Sequence, residues 1–234
     1  MAFISPDKWE DFWQYYNPKL EQHRKAIREL YKLQNDEALE LDAEWMEIYR
    51  EPSTYENDLV SKQQLAGVWQ CSIDKIEDEE IVELNECLRK YEITTVDRIQ
   101  HFLAQTAHES GGGRYKVELH DGSNYEFRSD LGNVNQGDGV KYAGSTYGQV
   151  TGRYNYQRLA DHLKDPRIME GKYYTGYAYP FTGFGFWWDD NNMNELIDNG
   201  ATCDEVGARV NGRMPPNGAE DRLHYYELAC IYIE

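Results

Sequence analysis

The chain has 234 residues, 40% of them hydrophobic, enough for one well-buried core and a smaller appendage. A formal net charge of -18, with no lysine- or arginine-rich stripe to offset it, excludes nucleic acid as a partner. No run of about 18 apolar residues could span a bilayer, and Met1 to Pro6 has no basic segment ahead of an apolar one. We therefore expect no integral membrane segment and synthesis in the cytoplasm without an export signal of that kind. Cys71, Cys87, Cys203 and Cys230 lie far apart without a CxxC pair, so reduced structural thiols are expected, with no metal and no cofactor.

Residues 1–57 read as a small N-terminal helical extension. Ser5, Pro6 and Asp7 form a helix start, with a capping oxygen, a proline at the first helical position and a carboxylate in the first turn. Trp9, Phe12, Trp13 and Tyr16 follow at helical spacing. Asn17-Pro18 should interrupt this helix. Leu20, Ile27, Leu30 and Leu33 mark a second run, and Leu39, Trp45, Met46 and Tyr49 a third. The aromatic stripe fits the core of the extension or a docking surface for a partner; the other reading is a wall-binding module that stacks on sugars. Glu51 to Asp58, polar and proline-containing, is the linker candidate.

Residues 58–234 read as a mainly α domain. Ile81, Leu84 and Leu88 predict one amphipathic helix; Val96, Ile99, Phe102, Leu103 and Thr106 predict another, with Thr94 or Thr95 as its cap. Three consecutive glycines, Gly111 to Gly113, should end the second helix near Ser110 and leave Glu109 on its last turn. The negative end of a helix dipole disfavours an ionised carboxylate, a placement that suits a proton donor. Glu118 follows nine residues later across the glycine turn. Two carboxyls so placed fit glycosidic bond cleavage, in which one protonates the leaving oxygen and the other activates water or attacks the sugar. Spacing alone does not separate inversion from retention, and in so acidic a chain two glutamates also fit a solvated surface.

The segment from Phe102 to Gly112, Phe-Leu-Ala-Gln-Thr-Ala-His-Glu-Ser-Gly-Gly, resembles the helix-end motif of glycoside hydrolase family 19, the lysozyme-like chitinases and phage endolysins. Further likenesses follow in the family's order. Gly137-Asp138-Gly139 leads to Tyr142 and Gly144, and then to Gln149-Val150-Thr151-Gly152-Arg153-Tyr154-Asn155-Tyr156. Val210-Asn211-Gly212 and Asn217-Gly218 precede Glu220 to Tyr226, which is similar to the family's closing helix. The resemblance covers residues 60 to 234.

It implies a lysozyme-like helical domain with a substrate cleft and the endolysin branch of the family. Glu109 would be the acid and Glu118 the base of an inverting reaction, with the Thr151 hydroxyl holding the attacking water. Gln149 and Asn211, with Tyr125 and Tyr142, would line the cleft, and an amide can both donate to and accept from an N-acetyl group. His108 and Arg222 would support the site, Arg222 as a buried arginine that pairs with active-site carboxylates, holding Glu118 ionised while Glu109 stays protonated. The implied substrate is peptidoglycan first and a chitin-like glycan second, with action on the wall after release or delivery.

Each position also has a plainer reading. Thr151 and Gln149 fit helix caps, Asn211-Gly212 a turn, Arg222 a surface partner of Glu220 or Asp221, and Phe186-Trp187-Trp188 the core. His108-Glu109 is not a zinc-protease motif, because Gly112 stands where the second histidine belongs. No cysteine offers a nucleophile signature. A non-enzymatic glycan-binding or particle protein on the same fold is the alternative of another class, against which both glutamates, Thr151 and Asn211 argue. Two departures from the family stand out. Ala143 and Ser145 replace expected arginines, which predicts an altered cleft wall. The tyrosine-rich stretch of Tyr173, Tyr174, Tyr177 and Tyr179 is unusual and has no assigned job.

Overall fold

The structure, a computed structural model, describes residues 58–234. The helices expected before this point, with the Ser5 start and the stripe from Trp9 to Tyr16, lie outside the described residues. So does the linker candidate except for Asp58.

Ser61 opens the first described helix, α1 (Lys62–Val68), with a capping box: its hydroxyl accepts from Gln64 N, and the Gln64 side chain accepts from Ser61 N. Helix α2 (Asp78–Lys90) carries Asp78, Glu79 and Glu80 in its first turn and Arg89 and Lys90 in its last, matching the helix dipole at both ends. Ile81, Leu84 and Leu88 are fully buried, as their spacing predicts. Helix α3 (Val96–Ser110) is capped by Thr95 rather than Thr94, through a 3.3 Å bond from Arg98 N. It then ends at Ser110 in a Schellman turn, with Gly112 N donating to Ala107 O at 2.7 Å and Gly111 at φ 62°. Gly112 and Gly113 are also left-handed, and a Cβ on Gly113 would lie 2.3 Å from the Trp69 ring. Handedness and space both require glycine there.

The remaining helices are α4 (Asp138–Lys141), α5 (Arg153–Leu163), α6 (Lys172–Ala178), α7 (Thr182–Asp190), α8 (Met193–Asp198), α9 (Cys203–Asn211) and α10 (Ala219–Tyr232). Among the described residues the only strand-like pairings are isolated bridges from Val117 to Ser145 and from Ser145 to Val150. The mainly α domain expected from the sequence is the one observed. None of the described helices is long and apolar enough to cross a membrane, and none of the four cysteines is in a disulfide.

Two apolar clusters hold these elements. The larger gathers Leu65, Ile81, Leu84, Phe102, Phe181, Phe184 and Trp188 around α3. Phe102 stacks on Phe184 at 5.4 Å and meets Trp188 edge-on at 5.2 Å, which puts Trp188 in the core. The smaller contains Tyr142, Tyr156, Leu159, Ile168, Tyr174 and Tyr179. Residues 142–147 cross between them, rooted by Tyr142 in one and by Tyr147 in the other. Fully burying a side chain of this size contributes roughly 1.5–3 kcal/mol, so the crossing segment is fixed at both ends.

Two buried carboxylates of α2 fasten the rest. Glu83 accepts from Phe181 N and Thr182 N, both at 2.9 Å, and so caps the start of α7. Glu80 accepts from the Tyr147 hydroxyl and pairs with Lys116 at 3.0 Å. Lys116 lies in the loop between the two candidate glutamates, so α2 also anchors that loop.

Candidate active site

The first half of the site is built where α10 lies along α3, the most extensive helix pairing among the described residues. Gln105 and Glu109 are four residues apart on one face of α3, and Arg222 of α10 meets both. Its Nη2 donates to Glu109 Oε1 at 2.5 Å, its Nη1 to Gln105 Oε1, and its Nε to Asn217 O at 3.0 Å. Arg222 is 1% exposed, whereas Glu109 retains 24% exposure. Among the described residues no donor reaches Glu109 Oε2. Asn211, the last residue of α9, accepts from Asn217 N at 2.9 Å and so braces the residue that holds Arg222. His108 Nδ1 lies 2.6 Å from Asp221 Oδ2, tying the same two helices one residue earlier.

This corrects the role given to Arg222. It faces Glu109, not Glu118, because helix packing sets it opposite the Gln105 and Glu109 pair while Glu118 is held elsewhere. The plainer reading of Arg222 as a surface partner of Glu220 or Asp221 also falls, since the side chain is buried. A cation therefore meets Glu109 at the negative end of the α3 dipole, a partner that helix-end reasoning alone leaves out.

The second half centres on Glu118. Tyr115 N donates to Ser110 O at 3.1 Å, which folds the glycine turn back on the helix end. Glu118 is three residues further on, a reach of about 10 Å at most. Its N–H donates to Gly144 O at 2.8 Å, while its own Oε2 accepts from Gly144 N at 2.9 Å. The Tyr125 hydroxyl donates to Oε1 at 3.1 Å. Burial, and then the charge of Glu118, push the Tyr125 phenol up and keep it a donor. Oε2 faces an N–H and can only accept.

Gly144 is the hinge of this half. A Cβ there would lie 2.2 Å from Gln149 Oε1 and 3.0 Å from Glu118 Oε2. The Gln149 amide thus rests against the residue that holds Glu118, with Gln149 and Thr146 both at positive φ, 54° and 65°. Non-glycine residues adopt that region at a cost, of order 1–3 kcal/mol each, and here the Ser145–Val150 backbone pair encloses them. Thr151 Oγ1 donates to Gln149 O at 2.8 Å, leaving its lone pairs to accept from water. We predict that Gly144→Ala folds, because a side-chain amide can move aside, but slows at least about tenfold the glycan cleavage expected of the Glu109 and Glu118 pair. Initial rates and the circular dichroism spectrum, compared with the parent, check this.

Asp138 supports Tyr125 from behind. It accepts from Arg153 Nη2 at 2.7 Å and Nε at 3.0 Å, and from the N–H groups of Val134 and Asn135. Asn133 joins the two parts, donating to Tyr125 O and accepting from Arg153 N. Arg153 first, with the backbone donors, lowers the Asp138 carboxyl to about 2. A carboxyl depressed in the fold stabilises it above the unfolded value, about 4, and that stability is lost as pH falls towards 2. Asp138→Asn should therefore cost about 1.5–3 kcal/mol at pH 7 and progressively less towards pH 2. Denaturant melts of both proteins across that range measure the convergence.

The described fold is shared with solved chitinases. It is similar to the crystal structure of chitinase C from Streptomyces griseus HUT6037 at a TM-score of 0.58 and 20% identity, over 75% of this chain and 92% of that one. A glutamate-to-glutamine mutant of chitinase C matches at 0.58 and 19%, with the same coverage. No protein-family model matches the chain. The lysozyme-like helical fold expected from the sequence is thus the observed one.

Other expected site residues fall differently. Tyr142 is 1% exposed, with its hydroxyl donating to Met169 O and Arg153 stacked 4.8 Å from its ring. It backs the wall and does not line it. Ala143 and Ser145 are fully buried, and the Tyr156 hydroxyl lies 2.7 Å from both Ala143 O and Ser145 Oγ. The departures at 143 and 145 therefore alter packing beneath Gly144, not an exposed cleft wall. Neither Gln149 nor Thr151 caps α5; Asn133 accepts from its first N–H. The turn reading of Asn211-Gly212 does hold, with Gly212 at φ 77° after α9. Sequence reasoning gave no role to Gln105, Asn217 or Asp138. Only Gln105 carried a local signal, its four-residue spacing from Glu109.

Proposed function

We propose that the chain hydrolyses β-1,4 bonds in a glycan of N-acetylated amino sugars, with Glu109 as acid and Glu118 as base. One observation carries this reading: two partly exposed glutamates on either side of a glycine turn are held in opposite ways. Among the described residues Glu109 is gripped at Oε1 only, with no donor on Oε2; Glu118 is held at both oxygens, by Gly144 N and the Tyr125 hydroxyl.

In the proposed reaction Glu109 gives its proton to the glycosidic oxygen as the bond to the anomeric carbon breaks. Glu118 takes a proton from water, whose oxygen bonds to that carbon from the opposite face. Thr151 accepts a hydrogen bond from the water, and Gln149 offers its amide to an N-acetyl group. The cycle closes when Glu118 loses its proton to solvent and Glu109 regains one.

Peptidoglycan remains the first reading of the substrate, supported by the short domain and its resemblance to the endolysin branch. Chitin is the second, and the likeness to solved structures of one chitinase, chitinase C and its mutant, favours it. Digestion of purified peptidoglycan and, separately, of N-acetylglucosamine oligomers, with mass spectrometry of the new reducing ends, distinguishes them. New ends on amino sugars of either polymer support the reading; intact polymers in both digests overturn it.

A further inference from the structure

The tyrosine-rich stretch, unassigned by the family resemblance, divides into two pairs. Tyr174 and Tyr179 face inward, and both donate to Asp165 Oδ2, at 2.5 and 2.8 Å. They anchor α6. Tyr173 and Tyr177 are 64% and 58% exposed and four residues apart, so they share the outer face of the helix. Two large aromatic rings on one exposed helical face contribute nothing to the core, which the inner pair already serves.

Helix α6 is seated on the segment that carries Glu118. A Cβ on Gly176 would lie 2.5 Å from Lys116 O and 2.9 Å from Val117 Cγ2, so only glycine allows this approach. Lys172 Nζ donates to His120 O at 3.3 Å, fixing the helix start just beyond Glu118. The Lys116 ammonium lies 5.8 Å from the Tyr177 ring centre and that of Lys172 lies 5.6 Å from the Tyr173 ring centre. Contacts of this kind hold ring orientation. Tyr177 thus meets a residue two positions before Glu118, and Tyr173 meets Lys172, which bonds to His120 two positions after it.

We propose that Tyr173 and Tyr177 form a stacking subsite that holds the glycan strand beyond the bond being cut, on the Glu118 side. Tyrosine offers a flat apolar face to the C–H face of a sugar ring and a hydroxyl to its polar edge. Residues four apart on a helix set their Cβ atoms about 5–6 Å apart, a spacing that suits neighbouring sugars of one strand. The subsite rests on the hydrolase reading above for its substrate class. Its position against the Glu118 segment favours a glycan over a protein partner.

The test uses the full chain carrying Tyr173→Ala and Tyr177→Ala together, with β-1,4-linked N-acetylglucosamine trimer and hexamer as probes. We expect kcat/KM on the hexamer to fall about tenfold while the trimer, which fills fewer sugar positions beyond the bond being cut, changes less than about twofold. Calorimetric binding of the hexamer to a Glu109→Gln chain, with and without the two tyrosines, should weaken by a similar factor. Equal effects on both lengths, or none on the hexamer, overturn the subsite and leave the hydrolase reading standing. A wild-type chain that cleaves neither oligomer but loses hexamer binding with the tyrosines keeps the subsite and overturns hydrolysis of this polymer. Binding that the tyrosines do not affect overturns the subsite in either case.

Discussion

Glu109→Gln leaves a folded protein whose glycan cleavage falls by about 10²–10⁴-fold, the range a positioned general acid supplies. The amide keeps the shape of the carboxyl and can still accept from Arg222, so α3 and α10 stay joined, although the buried guanidinium loses its counter-charge and the melting temperature falls. It carries no acidic proton for the leaving oxygen, and only that step is lost. Because the substitution spares packing, kcat should fall with little change in KM. Turnover near the parent value, in a variant that remains folded by circular dichroism, would remove Glu109 from the mechanism.

Arg222→Met should destabilise the domain by about 3–5 kcal/mol, the cost of breaking a buried ion pair from one side. The guanidinium is 1% exposed and serves three acceptors: Glu109 Oε1, Gln105 Oε1 and Asn217 O. Methionine fills much of the volume but leaves Gln105 buried beside a lost donor. At roughly 2–4 °C per kcal/mol for a domain of this size, the melting temperature falls by about 6–20 °C. A surface partner of Glu220 or Asp221 would cost less than about 1 kcal/mol, so the magnitude separates the two readings. Arg222→Lys retains the charge but reaches only one or two of the three acceptors, and should recover stability only in part. Thermal melts followed by circular dichroism measure both; a shift below about 2 °C for Arg222→Met contradicts the buried role.

The parts of this architecture that were legible in sequence depend on near neighbours. Thr95 and the glycines at 111–113 bound α3 through local caps and handedness, so the place of Glu109 on its last turn followed from the chain itself. The buried faces of α2 and α3 followed from spacing. The burial of Arg222 and its pairing with a site carboxylate agree with the resemblance; the glutamate it meets is Glu109 and not Glu118, because that partner lies 113 residues away and is fixed only by the packing of α10 on α3. Ala143 and Ser145, which replace arginines of the resembling family, predict an altered cleft wall, whereas both lie buried beneath it. Their burial depends on the Tyr156 hydroxyl, which no local pattern indicates. Tyr142 has the same explanation: its ring packs against Tyr156 at 5.1 Å, a contact made by the fold of α5. The tyrosines of α6 could not be sorted by spacing alone, since Asp165 selects two of them and Tyr179 lies beyond the helix end.

The proposed reaction, with acid and base on opposite sides of the bond, requires that each cut invert the anomeric carbon. Proton NMR during the first minutes of digestion of peptidoglycan strands and of N-acetylglucosamine oligomers observes this directly. The account predicts that new reducing ends form first as the α anomer, with β accumulating only as the sugar mutarotates. New ends that form first as β, or no new ends from either glycan, would contradict it.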